Sequence, residues 1–148
     1  MTKRLRVQGT LYRVRSRLVC AEDGIAYQPV AKGVARHMVV ALSEPDELGV
    51  VKIATVQYSC ITSNPCGGFD YYPIAPCAKG GYPFQLQLRH YNNQFYGGPR
   101  ALHLYSYVRA EQHQVSAQML VAVEGDFGEP IQLKKRSAAR LRSAMQIN

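Results

Sequence analysis

The chain has 148 residues, 47% of them hydrophobic and 19% charged, and a formal net charge of +8. That length suits one domain, 1–148, able to bury about two-thirds of its unfolded surface, and the composition excludes an intrinsically disordered chain. The longest apolar runs are short pieces such as Met38 to Leu42 and Met119 to Val123, far below the ~18 residues of a membrane-spanning helix, so no membrane partner is expected.

In chain order, the first feature is charge. Residues 1–20 carry six bases and no acid, and residues 133–148 carry five bases and no acid. The segment between holds seven bases against ten acids, so the two ends supply the whole excess. The basic start is not followed by the apolar stretch of a signal peptide, which predicts synthesis inside the cell and a cytoplasmic location. Free thiols are then expected at Cys20, Cys60, Cys66 and Cys77, whose spacings lack the close pairing of structural zinc sites. Given an oxidant, Cys66 and Cys77 would be the pair to bridge.

Tyr12, Val14, Ser16 and Leu18 alternate with Arg13, Arg15 and Arg17, which predicts a strand with an arginine face. Before Gly9 the phase is reversed, with Leu5 and Val7 on odd positions, so the glycine reads as a bulge or bend. A turn and an irregular connection follow from Ala21 to Lys32. Val34 to Leu42 and Val50 to Cys60 read as central strands, joined by a hairpin loop containing Pro45 and Gly49.

Residues 61–83 hold four glycines, four prolines, two cysteines and four aromatics and show no periodicity. They read as a long ordered loop packing on itself or on a second subunit. A hairpin is predicted next: Phe84, Leu86 and Leu88 form an aliphatic face with Leu102, Leu104, Ser106 and Val108. Its other face would carry Gln85, Gln87, Arg89, Tyr91, His103, Tyr105, Tyr107 and Arg109. A further strand, His113 to Val123, points Val115, Ala117, Met119, Val121 and Val123 inward. Pro130 then opens a basic C-terminal helix over 131–146, with Leu133, Ala138, Leu141, Ala144 and Met145 on one side and most bases, Lys134 excepted, on the other.

The fold class expected is therefore mainly β, about six antiparallel strands in one sheet or small barrel closed by that short helix. Neither a phosphate loop nor a dinucleotide, serine-hydrolase or zinc-protease motif occurs, so no catalytic residue, cofactor or metal is expected. The features favour a non-enzymatic protein that binds RNA or single-stranded DNA. Arginines meet phosphates and bases stack on exposed rings, and alternate strand residues stand roughly 6.6 Å apart, close to the phosphate spacing of an extended strand. The expected contacts are Arg13, Arg15, Arg17, Arg89, His103, Tyr105, Tyr107, Arg109, Lys134, Lys135, Arg136 and Arg140, in a chain that forms a homo-oligomer. The alternative is a self-assembling structural subunit such as a viral coat, located in the virion, with basic ends toward packaged nucleic acid. A small hydrolase using His90 or His103 is a third reading; an acid and base pair of the two is weakened by the alternation that puts them on opposite faces.

Overall fold

The computed structural model describes residues 6–58, 71–75, 84–89, 106–125 and 128–147. It is mainly β, as expected. Seven antiparallel strands lie in one open sheet: β1 (Leu11–Val14), β2 (Met38–Ala41), β3 (Val50–Tyr58), β4 (Tyr71–Ile74), β5 (Ser106–Arg109), β6 (His113–Ser116) and β7 (Leu120–Ala122). The order is β4-β5-β3-β2-β1-β7, and β6 continues alongside β3 where β5 leaves off. Among the described residues three short α-helices accompany it, α1 (Arg17–Glu22), α2 (Lys32–Arg36) and α3 (Lys135–Ala144).

Two further segments connect the ends of the strand path. Residues 84–88 run parallel to β4 through the Ile74–Leu86 bridge, and Leu88 in turn bridges antiparallel to Leu133. Gln132 bridges to Thr10 at the start of β1. These isolated bridges tie β4 through residues 84–88 and 132–133 to Thr10 beside β1, over one apolar core. Leu11, Met38, Val40, Ala54, Val56, Tyr72, Ile74, Leu86, Leu88, Val108, Ile131 and Leu133 fill it, and Ala138 and Leu141 of α3, with Ile147 just beyond the helix, close it. Gly9 lets the helix come close. Its φ is +86°, and a Cβ there would lie 3.2 Å from the Cβ of Ala138, so the position takes a residue without a side chain. The predicted bend at the phase change is present.

The opposite face of the sheet carries a second core of Cys20, Val34, Val39, Ala41, Val51, Ile53, Val115, Met119 and Leu120, covered by α1, α2 and the connection 25–30. With a core on each face, β2 is buried throughout, which explains the uninterrupted apolar run in its sequence. The β2–β3 hairpin forms as predicted, with Asp46 accepting from the backbone of Leu48 and Val50 to close its turn.

Five expectations are corrected. The first strand ends at Val14: the Ser16 hydroxyl accepts from the Val19 backbone and caps α1, so Arg17 and Leu18 are helical. Residues 32–36 form α2 instead of extending β2, since β1 offers pairing partners only as far as Val39 and Val40 and the upstream backbone must close its hydrogen bonds locally. Tyr71–Ile74 is a buried strand inside the segment read as loop, and Pro73 fits because its carbonyl accepts from Leu86 while its ring nitrogen has nothing to donate. The strand from His113 breaks at a 3₁₀ turn, Ala117–Met119, that carries the chain from β3 to β1 and shifts the phase by one. Leu120 therefore faces the second core and Val121 is 43% exposed. Finally, the C-terminal helix begins at Lys135, because Leu133 belongs to the sheet bridge.

Candidate nucleic-acid interface

The arginines of the first basic segment do not form a row. Arg13 is exposed on β1. Arg15 is tied down: its guanidinium pairs with Asp23 at 3.0 Å, donates to the Leu120 carbonyl at 3.4 Å and also donates to the Gln118 carbonyl. Arg17 opens α1 and lies over the ring of Tyr27, 5.0 Å from its centroid. The alternation that suggested a common face is interrupted by the Ser16 cap, so a strand periodicity does not apply beyond Val14.

The predicted tyrosine-rich hairpin is likewise divided. Residues 84–88 find their partners in β4 and Leu133, whereas β5 pairs with β3 and β4. Gln85, Gln87 and Arg89 therefore belong beside α3, and Tyr107 and Arg109, half-buried on β5, belong to the face opposite Val108. Arg109 pairs with Glu111 at 3.3 Å, and His113 approaches the other oxygen of that carboxylate at 3.8 Å. Tyr91, His90, His103 and Tyr105 lie outside the described residues, as do Cys60, Cys66 and Cys77. Cys20 is a buried free thiol. Among the described residues no group of three or more histidine, cysteine or acidic side chains is placed to hold a metal.

What the fold brings together is the C-terminal set. The Lys134 backbone donates to the Gln87 carbonyl at 2.7 Å and the Gln87 backbone donates to the Ser137 hydroxyl at 2.8 Å, fixing residues 84–89 along the first turn of α3. Lys134, Lys135, Arg136 and Arg140 are all exposed there. The Arg140 guanidinium sits 4.7 Å above the Phe84 ring, which stacks on Tyr72 at 4.7 Å. Such stacking holds the charge at the surface while leaving the N–H edges for an anion. Arg89 is anchored by its neighbour across the bridge, donating to the Gln132 amide oxygen at 3.0 Å.

Gln132 is a residue that sequence reasoning missed. Its buried amide donates to the Thr10 hydroxyl at 2.8 Å and to the Arg6 carbonyl at 3.1 Å. A polar side chain amid Ile131 and Leu133 signals a buried hydrogen-bonding role, although nothing in the sequence says that Arg89 is its partner. The resulting surface gathers Arg89, Lys134, Lys135, Arg136 and Arg140, and among the described residues no carboxylate lies within ion-pair distance of any of the five. Comparison with protein-family models, with curated proteins and with solved structures yields no match.

Proposed function

We propose that this protein is a non-enzymatic nucleic-acid-binding protein that takes RNA or single-stranded DNA on the surface built by residues 84–89 and α3. The observation that carries this reading is the concentration of Arg89, Lys134, Lys135, Arg136 and Arg140 on a surface where no described carboxylate lies within ion-pair distance of them, its backbone pinned by the Lys134–Gln87 and Gln87–Ser137 hydrogen bonds. A helix and a strand segment locked together present cations at fixed spacing, which lowers the ordering cost of binding a polyanion. Release of condensed counterions supplies the driving force. Arg13 and Arg17 extend the positive field without belonging to the patch, and Arg15 is already occupied by Asp23.

The test is a salt titration of affinity for a short single-stranded oligonucleotide. Replacing Lys135, Arg136 and Arg140 together by glutamine is expected to weaken binding at least about tenfold and to flatten the slope of log affinity against log salt by about 2, near 0.7 per lost contact. An unchanged slope would overturn the assignment. Light scattering on the same sample separates a small complex, which this reading requires, from a large particle, which would favour an assembling coat subunit.

A further inference from the structure

A second cationic feature lies at the other end of α3. The helix closes in a Schellman arrangement: the Ile147 backbone donates to the Arg142 carbonyl, the Gln146 backbone donates to the Ser143 carbonyl, and Gln146 takes a φ of +57°. Ile147 is thereby turned into the first core. This reversal of the chain leaves a cleft of about 400 Å³ lined by Gln8, Ala139, Arg142, Ser143, Gln146 and Ile147.

Among the described residues that line it, Arg142 is the only charged group. One terminal nitrogen donates to the Gln8 amide oxygen at 3.2 Å, and its Nε is shut off from solvent without a partner. Arg6 approaches from the adjoining side, by Gly9 and Ala138, and its Nε and one terminal nitrogen are also buried and unpartnered. Among the described residues neither arginine has a carboxylate within ion-pair distance. A guanidinium held by an uncharged amide and partly stripped of water has lost hydration that no described residue replaces. An oxyanion in the adjacent cleft would meet the other terminal nitrogen of Arg142, which is neither bonded to Gln8 nor shut off from solvent, and would compensate the desolvated charge. The negative end of the helix dipole opposes this, but the carbonyls of Leu141, Arg142 and Ser143 are already taken by backbone donors.

We infer that the cleft between Gln8 and the end of α3 is a phosphate-binding site, with Arg142 as the anion-contacting residue, Gln8 as the residue that positions it, and Ser143 and Gln146 as further donors. The site lies apart from the patch at the start of the helix and does not depend on the nucleic-acid reading. The phosphate could be inorganic phosphate or the end of a nucleic-acid strand.

The experiment is a titration of the full-length protein with inorganic phosphate, balanced with chloride at constant ionic strength, followed by amide and arginine side-chain NMR shifts. Saturating shifts are expected at Gln8 and residues 139–147. Arg142→Gln should weaken phosphate binding at least about tenfold, equivalent to roughly 1.4 kcal/mol. Gln8→Ala, which retains the charge, should weaken it severalfold, and Lys32→Gln on α2 should leave it unchanged. Shifts that fail to saturate, or an affinity unaltered in both Arg142→Gln and Gln8→Ala, would overturn the inference. Comparing an oligonucleotide with and without a 5′-phosphate then assigns the source. A preference for the phosphorylated strand that Arg142→Gln abolishes identifies a strand end, and equal binding of the two identifies inorganic phosphate.

Discussion

The two basic stretches look alike as sequence, yet the fold treats them differently. Arg15 spends its charge on Asp23 and two backbone carbonyls, and Arg17 lies over Tyr27, so these two arginines chiefly hold α1 and the 3₁₀ turn in place. Among the described residues the C-terminal bases have no acid partner, although Arg140 lies over Phe84 and Arg142 donates to Gln8. Leu141 and Ala138 anchor α3 in the core, and Lys135, Arg136 and Arg140 project outward beside Arg89. The difference teaches that a run of like charges becomes a binding surface only where the fold supplies apolar anchoring and withholds acids.

The comparison breaks most visibly if the anchor is removed. Leu141→Ala empties a fully buried position under α3 and should cost about 2–5 kcal/mol, read from the denaturant midpoint. Nucleic-acid affinity should fall with it as the helix detaches.

A more discriminating contrast uses one base from each region. Arg15→Gln should lower stability by about 1 kcal/mol, with the oligonucleotide affinity held within about twofold, because a partly exposed ion pair contributes little beyond its hydrogen bonds. Lys135→Gln should do the reverse, leaving the unfolding midpoint in place and reducing the salt slope by about 0.7. If both variants lost stability, or both lost affinity, the division of labour would be wrong.

The smallest expected effect concerns pH. Burial, with the Arg36 charge adding to it, holds the His37 imidazole below its ordinary 6.5. The unfolded chain therefore binds a proton more readily than the folded one, and folding stability should decline as pH falls below about 6.5. Thermal melts between pH 7.5 and 5.5 should show that decline, and His37→Gln should reduce it. Equal slopes in the two proteins would show that other groups govern the dependence.

Local pattern was enough where one element sees one environment. The β2–β3 hairpin follows from two apolar runs around a Pro45 and Gly49 turn, the bend from the phase change at Gly9, and α3 from helix-forming residues with an apolar side. The Arg13, Arg15, Arg17 row failed because a single hydroxyl at Ser16 satisfies a helical amide, a choice that two-residue periodicity cannot register. The hairpin expected from Phe84 failed for another reason. Alternation identifies which residues of a strand face the same way, but partner choice depends on what else is within reach, and here residues 84–88 take β4 and Leu133 while both edges of Ser106–Arg109 are taken by β3 and β4.

By itself the sequence determined the mainly β class, the short C-terminal helix and the concentration of charge at the two ends, because propensity, turn chemistry and composition act over neighbouring residues. Tertiary structure alone decided that Tyr71–Ile74 is a buried strand, that Arg15 is consumed by Asp23, and that Arg89 joins the bases of α3. Those outcomes depend on backbone pairings and hydrogen bonds between segments far apart in the chain, and no local pattern encodes which distant partner will satisfy a strand edge or a guanidinium.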